Sequence, residues 1–199
     1  MTMLAAIIPA AGHSSRMGRC KPLLPFGPGT LLSHCVGLFR ANGLDRIIVV
    51  TGNDRDAVAA EAARAGATPV HNAHFGQGMF SSVLTGLRAL DPETAAFFLL
   101  PVDMPLVRPD TIARLADEYR RTKFAVLCPR FRGQRGHPPL ISRSLLPEIL
   151  AHDGTGGLRA VLLRHEATSL DLDDPGTVLD LNHPGDYQDA LARLLPQVG

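Results

Sequence analysis

The chain has few cysteines, almost no net charge and no long hydrophobic run, and each shortage excludes a class of protein. Its 199 residues include three widely spaced cysteines without a C-x-x-C pair, which argues against a disulfide framework and a cysteine zinc site. The 20 basic and 19 acidic residues leave a net charge of +1, so no overall field attracts nucleic acid or an anionic membrane. No apolar stretch is long enough to span a bilayer, and the short apolar start lacks the preceding basic residues of a signal peptide. We therefore expect a cytoplasmic protein with neither nucleic acid nor membrane as a partner.

Short apolar runs alternate with helical patterns along the chain. This order is typical of a mostly parallel sheet covered by helices on both faces, and the length suits one domain. One helix is predicted after Thr30, as its cap, and ends at Asn42-Gly43. The other predicted helices are 54–65, 79–90, 108–121, 145–151 and 184–195, and the predicted strands are 4–9, 46–51, 68–71, 95–102, 124–128 and 177–181.

The start of the chain leads from an apolar run into a small, cationic loop, Leu4-Ala-Ala-Ile-Ile-Pro-Ala-Ala-Gly12-His-Ser-Ser-Arg16-Met-Gly18-Arg-Cys-Lys21-Pro. Gly12 and Gly18 allow a ligand to approach the backbone, whose N–H groups can bind phosphate oxygens, and Arg16 and Lys21 add positive charge. The loop lacks both the Gly-Lys-Ser/Thr of a P-loop and the G-x-G-x-x-G of a dinucleotide site. It predicts a nucleotide-phosphate site, with a glycine-rich turn carrying ordinary surface cations as the alternative.

Two carboxylate-bearing segments suggest a metal site. Asp103 follows the apolar run from Ala95, and ligands of open α/β sheets bind beyond the carboxyl ends of the strands. A carboxylate there suits Mg²⁺, which takes one or two protein carboxylates together with substrate phosphates. In the predicted strand 177–181 and just after it, alternation would place Asp180 and Asn182 on one face, directed toward the metal. The alternatives are a helix cap for Asp103 and a helix start for Asp180 and Asn182.

Three further segments carry candidate ligand-binding residues. The predicted helix that begins Met79-Phe-Ser-Ser82 would present free N–H groups, although an ordinary glycine-plus-serine helix start is the alternative. The turn-rich stretch 129–139 contains cations suited to an anionic ligand. Arg130 and Arg132 fit a solvated loop equally well. The glycine-rich turn 153–157, followed by Arg159, is either a helix-capping turn or an anion site. His71 and His74 are three positions apart in an expected loop, but no second pair has zinc-ligand spacing, and no pattern of a covalent nucleophile is present.

Several of these segments resemble the molybdenum cofactor nucleotidyltransferase-like family. The similar motifs are A-A-G-x-x-S-R-M-G-x-x-K-P of the first loop, D-M-P at Asp103, the segment from Asn72 to Ser82, G-x-x-G-H-P at 133–138 and the segment 178–184. Val102 stands where many family members carry glycine. The resemblance implies an α/β, Rossmann-like three-layer nucleotidyltransferase fold with a mostly parallel central sheet. It also implies one domain over 1–199, with a nucleotide-binding half at 1–105 and an acceptor-binding half at 106–199.

The resemblance further implies an activity, which is the transfer of CMP from CTP to a phosphorylated acceptor, best matched by molybdopterin, with Mg²⁺ as cofactor and release of pyrophosphate. The motifs Ala10-Ala11-Gly12 and Gly78-Met79 resemble those of the cytidylyltransferase branch of the family. His137 is expected to position the acceptor, since an ionised phosphate needs no general base. The implied catalytic residues are Arg16, Lys21 and Asp103; the nucleotide-binding residues are Ala10, Ala11, Gly12, Ser15, Arg16, Lys21, Gly78, Met79 and Ser82; the metal ligands are Asp103 and Asn182; the acceptor-binding residues are Arg135, His137 and Asp180.

Two other functions fit the same residues. The first is nucleotidyl transfer from GTP or another nucleoside triphosphate to a sugar or alcohol phosphate, because a fold does not fix the acceptor. The second is a non-catalytic carrier that escorts molybdenum cofactor to a molybdoenzyme or its chaperone. Pyrophosphate release distinguishes both transferases from the carrier.

Overall fold

The structure, a computed structural model, describes residues 2–12, 18–165 and 167–194. Within these ranges an eight-stranded sheet has the order β10-β7-β9-β6-β1-β4-β5, with β8 paired to β7, while β2 and β3 form a separate hairpin. The strands are β1 (Leu4–Pro9), β2 (Pro25–Phe26), β3 (Gly29–Thr30), β4 (Ile47–Thr51), β5 (Thr68–His71), β6 (Ala96–Leu99), β7 (Val126–Phe131), β8 (Gln134–Arg135), β9 (Leu140–Ser142) and β10 (Ala167–Asp171).

Helices connect these strands and cover both faces of the sheet. The helix predicted after Thr30 is confirmed, since the Thr30 hydroxyl accepts a hydrogen bond from the Ser33 backbone N–H in a reciprocal capping box. The α-helices are α1 (Leu31–Arg40), α2 (Arg55–Arg64), α3 (Met79–Arg88), α4 (Pro109–Thr122), α5 (Leu146–Ala151), α6 (Gly157–Leu162) and α7 (Pro184–Leu194). None of the helices in the described part of the chain combines the length and the apolar character needed to cross a membrane.

Strand β1 lies at the centre of the sheet, and all six of its residues are buried. It pairs in parallel with β4 on one side and with β6 on the other. Because side chains alternate between faces, Ala6 and Ile8 pack in one core cluster, whereas Ala5 and Ile7 pack in a second. A strand buried on both faces reads as a continuous apolar run, as this one does.

The two core clusters define the outer layers. The first cluster joins β1 to α1, α2 and α4, and the second joins it to α3, α5 and α6. Phe98 fills the first cluster and Phe97 the second, and burial of each such ring stabilises the fold by roughly 1.5–3 kcal/mol. The predicted three-layer α/β fold with a mostly parallel sheet is therefore confirmed.

Helix α3 approaches the sheet closely because it carries a glycine at the contact. A Cβ atom on Gly86 would lie 2.5 Å from Cγ2 of Ile7, closer than packed atoms allow. The close approach fixes the N-terminus of α3 relative to the end of β1. Both segments supply residues to the site described below.

The predictions fail mainly in the last third of the chain. The strand predicted over 177–181 is wrong, since Pro175–Val178 forms a 3-10 turn and 179–182 has no regular structure. The edge strand β10 lies earlier, at Ala167–Asp171, and was missed. The strand predicted over 95–102 ends at Leu99, although the backbone continues beside β1, with the Val102 N–H donating to the Pro9 carbonyl at 3.2 Å.

Candidate active site

A first cavity of about 320 Å³ lies at the carboxyl end of β1. This is the edge where ligands of open α/β sheets bind. Of the predicted nucleotide-binding residues, the structure brings together Ala10, Ala11, Gly12, Lys21, Gly78, Met79 and Ser82, and Asp103 joins them. Ser15 and Arg16, also predicted for this site, lie outside the described residues.

Lys21 and Asp103 meet at this cavity although 82 positions separate them in the chain. The Lys21 Nζ donates a hydrogen bond of 3.4 Å to the Asp103 Oδ2, and the two side chains are 12% and 24% exposed. Lys21 begins a 3-10 turn, Lys21–Leu23, anchored by the buried ring of Pro22. The site thus pairs one fixed cation with one fixed carboxylate at a partly shielded edge.

The thiol beside this lysine belongs to Cys20. Burial, together with a hydrogen bond and the negative charge of Asp54, raises the pKa of Cys20 to about 11. The thiol is therefore protonated at neutral pH and is no nucleophile there.

Asn72, which sequence reasoning left outside the site, organises the loop before α3. It is 2% exposed, and its Nδ2 donates to the hydroxyls of Ser81 and Ser82 at 2.8 and 3.0 Å. Its Oδ1 accepts a hydrogen bond from the His74 backbone N–H at 2.9 Å. These bonds hold the loop that carries Gly78 and the first turn of α3 against the end of β5. The resemblance covered Asn72, but its role appears only with the contacts.

Gly52 is a second site residue that the sequence analysis missed. A Cβ atom on it would lie 2.7 Å from the Ala11 carbonyl oxygen and 2.7 Å from Cβ of Phe75. Only glycine therefore lets the first loop and the loop after β5 approach each other. Its position directly after β4 was the available signal.

A second cavity, of about 780 Å³, adjoins the first. Pro9, Met79 and Pro101 line both cavities, so the two spaces meet at these residues. The predicted acceptor-binding residues Arg135 and His137 line the second cavity. Its other walls are mostly apolar and come from α3, β7 and α6. Sequence reasoning did not find this cavity, because its walls come from segments far apart in the chain.

His137 lies where the second cavity approaches Asp103. Its backbone N–H donates to the Thr177 carbonyl at 2.8 Å. Burial lowers the pKa of His137, while the negative charges of Asp103 and Asp180 act in the opposite direction. The net direction favours the neutral imidazole at neutral pH, which suits a hydrogen-bonding role.

The segment 180–182 lies beside Asp103 through its backbone, as the Leu181 N–H donates to the Asp103 carbonyl at 2.8 Å. Asn182 and Asp180 do not share a strand face, because that strand does not exist. Their side chains instead bond each other, with Asn182 Nδ2 donating to Asp180 Oδ2 at 2.6 Å. The Asn182 backbone N–H donates to the Asp186 carboxylate at 2.9 Å, so this residue also belongs to the start of α7.

The oxygen atoms at this edge of the sheet suit a hard divalent cation whose remaining ligands come from the substrate. Among the described residues no group of three or more His, Cys, Asp or Glu side chains could hold a metal by itself. The Asp103 carboxylate lines the first cavity, whereas Asp180 and Asn182 line neither cavity and are linked to Asp103 through the backbone bond of Leu181. Mg²⁺ commonly binds one or two such oxygens together with phosphates and water.

A three-layer α/β fold with two adjoining cavities at the carboxyl end of its central strand is typical of enzymes that bind nucleotides. The MobA-like NTP transferase domain model matches residues 6–168, so the chain belongs to that family and is a nucleotidyltransferase.

Two relatives have names of this class, and a third, the nicotine blue oxidoreductase of Paenarthrobacter nicotinovorans, is 30% identical over 86% of each chain. The chain is 32% identical to the molybdenum cofactor cytidylyltransferase of Escherichia coli (strain K12), over 97% of this chain and 98% of that protein. It is 31% identical to a probable molybdenum cofactor guanylyltransferase of Mycobacterium avium (strain 104), over 96% and 95%. The crystal structure of Rv0371c from Mycobacterium tuberculosis H37Rv superposes with a TM-score of 0.84 at 28% identity, covering 96% of this chain and 98% of that one. A complex of Rv0371c with manganese gives a TM-score of 0.78 at 26% identity, covering 96% and 99%.

Proposed function

We propose that the chain transfers CMP from CTP to a molybdopterin-type phosphorylated acceptor and releases pyrophosphate, with Mg²⁺ as the metal. The observation that carries the proposal is the junction of two cavities at Pro9, Met79 and Pro101. The first cavity holds the Lys21 and Asp103 pair, and the second holds Arg135 and His137. A donor in one cavity and an acceptor in the other would meet at their reacting ends.

In this reaction an oxygen of the acceptor phosphate forms a bond to the α-phosphorus of CTP while the bond from that phosphorus to the bridging oxygen of pyrophosphate breaks. Both reactants are anions, so they must be held in line and their charge offset. Lys21 supplies a positive charge at the first cavity, and Arg16 is proposed to supply a second. No proton has to move, because the acceptor phosphate is already ionised at neutral pH.

Asp103, with Asn182 or Asp180 beside it, is proposed to hold the metal. When bound there, Mg²⁺ neutralises phosphate charge and orients the phosphates. The manganese complex of Rv0371c supports a divalent cation in this fold. The contact between Lys21 and Asp103 would then open, because a phosphate would bind the lysine and the metal would bind the carboxylate.

The donor base is proposed from two sources. Gly78 and Met79 match the motif of the cytidylyltransferase branch and line the first cavity. The 32% identical relative is named a cytidylyltransferase, and a 31% identical relative a probable guanylyltransferase. GTP is therefore the principal competing donor.

The acceptor is proposed from the lining of the second cavity. Its walls are dominated by apolar side chains such as Val83, Leu99 and Val126. A sugar phosphate buried there would leave hydroxyls without partners, at roughly 1–3 kcal/mol for each unsatisfied group. A planar heterocycle can pack its faces on such walls and direct its polar edge toward Gln134, Arg135 and His137, which favours a phosphorylated pterin. The cavity is lined from both predicted halves of the chain, so we propose that acceptor binding involves residues before as well as after position 105.

The test measures pyrophosphate release with Mg²⁺, molybdopterin and each of CTP, GTP, ATP and UTP in turn. Release with CTP alone, lost on chelation of the metal and absent without acceptor, is the expected result. Release with GTP alone would overturn the base assignment. Release with a sugar or alcohol phosphate in place of molybdopterin would overturn the acceptor assignment. Nucleotide binding without release under any condition would favour the carrier function.

A further inference from the structure

The second cavity carries two arginines whose surroundings differ. Arg135 projects from β8, and its Nε donates to the Ser169 hydroxyl at 3.1 Å while its Nη2 donates to the Ala167 carbonyl at 2.9 Å. Both acceptors belong to β10, so the side chain is fixed across the sheet side of the cavity. This arginine is held by the protein itself.

Arg159 lines the same cavity from helix α6. Within the described ranges its guanidinium has neither a hydrogen bond nor an ion pair, and the side chain is exposed. Arg164, just beyond the end of α6, is different, because its Nη1 lies 3.5 Å from Oε1 of Glu148. Arg159 and Arg164 thus have different environments, and of these two residues only Arg159 borders the cavity.

Local structure sets where the Arg159 side chain projects. The turn before α6 contains Gly154, Gly156 and Gly157 with φ of 93°, 73° and 63°, a conformation that favours glycine. The Gly157 N–H closes this turn on the Gly154 carbonyl at 2.9 Å, and Val161 anchors the helix in the core. The first turn of α6 is therefore held beside Phe80 at the start of α3, which is near the junction of the two cavities.

We propose that Arg159 binds an oxyanion of the acceptor, with Arg135 as a second, fixed cation of the same cavity. A guanidinium that has no carboxylate partner among the described residues, in a cavity whose lining is largely apolar, is suited to an anionic ligand. Arginine offers several N–H donors in a planar fork that matches phosphate oxygens. The subsite rests on the proposed function, because it assumes that the second cavity receives the acceptor. Its ligand class is a phosphomonoester on a planar ring.

The experiment titrates the full-length protein with 6-hydroxymethylpterin monophosphate and follows the fluorescence of the pterin. The unphosphorylated 6-hydroxymethylpterin is titrated in parallel. Arg159→Ala should weaken binding of the phosphorylated probe by about tenfold or more, which is the scale of a charge-assisted hydrogen bond. The same variant should leave binding of the unphosphorylated probe unchanged, and Arg159→Lys should restore part of the loss.

Arg164→Ala is the matched control, since it removes a nearby arginine that does not line the cavity. Equal weakening of both probes by Arg159→Ala would overturn the proposal by showing that Arg159 contacts the ring. Unchanged binding of the phosphorylated probe, or no binding of it to the unaltered protein, would also overturn it. CTP-dependent pyrophosphate release by the unaltered protein, measured separately, tests the proposed function, so a failure of the subsite is distinguished from a failure of the proposed function.

Discussion

The opposite charges of Lys21 and Asp103 lie at the point where donor and metal would enter the first cavity. An ion pair exposed to water contributes little to stability, about 0–1 kcal/mol. This pair is only partly exposed, and its distance of 3.4 Å is long for a charge-assisted bond. We infer that the two charges are kept for ligands, and that the contact between them opens when a phosphate binds Lys21 and a cation binds Asp103.

Asp103→Ala should therefore abolish activity without unfolding the chain. Loss of a metal-binding carboxylate is expected to lower turnover by about 100-fold or more. The Asp103 carbonyl, which accepts the Leu181 N–H, is retained in alanine, so the neighbouring segment stays in place. Pyrophosphate release and thermal unfolding measure the two effects. Asp173→Ala removes an exposed carboxylate nearby and should be silent in both assays. Normal turnover of Asp103→Ala would contradict the metal assignment.

Residues that belong to short sequence motifs could be predicted, whereas residues whose role depends on tertiary packing were missed. Ala10, Gly12 and Lys21 follow a short apolar strand, so their place at a sheet edge could be predicted. The contact between Lys21 and Asp103 could not, because it depends on β6 lying beside β1. Asn72 was missed as a site residue for the same reason, since its bonds to Ser81 and Ser82 form only when α3 packs on the end of β5.

At the scale of elements, a buried carboxylate attaches the segment 174–182 to helix α4. Asp174 is 3% exposed. Its Oδ2 accepts hydrogen bonds from the Arg108 backbone N–H at 2.9 Å and from the Thr111 hydroxyl at 2.6 Å, and its Oδ1 accepts one from the Gly176 N–H at 2.9 Å. The same segment then bonds His137 through the Thr177 carbonyl. Asp174 is thus a positioning residue for one side of the site.

Asp174→Asn should disturb both stability and acceptor binding. An amide would place its own donors against donors, leaving a buried N–H or hydroxyl unsatisfied at a cost of about 1–3 kcal/mol. The displaced segment should raise the KM for the acceptor and leave the KM for CTP nearly unchanged, which a purely structural role would not do. Urea unfolding and steady-state kinetics with each substrate measure these effects.

Thr111→Val provides the comparison for this substitution. It removes one donor to the carboxylate and leaves both backbone bonds, so its effects should be in the same direction and smaller. Native kinetics for Asp174→Asn, at a temperature where it is folded, would exclude a positioning role for this carboxylate.

The same segment explains why its strand prediction is wrong. Leu179 to Asn182 alternates apolar and polar residues as a half-buried strand does. The preceding Asp174-Pro175-Gly176 instead forms a capped turn, and a Cβ atom on Gly176 would lie 1.9 Å from the Leu106 carbonyl oxygen. This close contact with another part of the chain is invisible to periodicity. The helices α1 to α4 were predicted close to their observed ends from apolar spacing and flanking residues, although a side-chain N-cap hydrogen bond forms at α1 and not at α2, α3 or α4.

At the scale of the whole molecule, one sheet serves both cavities. The predicted halves at 1–105 and 106–199 contribute to it together, because β9 from the second half pairs antiparallel with β6 from the first. The parallel core could be predicted from the alternation of strands and helices. The strand order, and with it the second cavity, could not, since it is set by pairings between distant segments.

A pH dependence of global stability follows from a partly buried histidine on α1. His34 lies on α1, and its ring packs edge-on against Phe26 with 4.8 Å between the ring centroids. Burial lowers the pKa of His34 from its ordinary value of 6.5, and the Pro105 carbonyl acts in the opposite direction. Below pH 6.5 the unfolded chain therefore binds a proton more readily than the folded chain. The stability contribution is complete above this pH and is lost as the pH falls below it.

The free energy of unfolding should thus be nearly constant from about pH 7.5 to about pH 6.5 and then decrease toward about pH 5, with His34→Gln reducing that decrease. His137, whose pKa is lowered in the same direction, keeps part of the slope in the variant. Urea unfolding at several pH values measures the effect, and His183→Gln, which alters an exposed histidine, should retain the slope of the unaltered protein. If His34→Gln and the unaltered protein lose stability equally as the pH falls, the buried imidazole is not the group that the folded state keeps neutral. The acid sensitivity would then have to be assigned to His137, whose pKa burial also lowers.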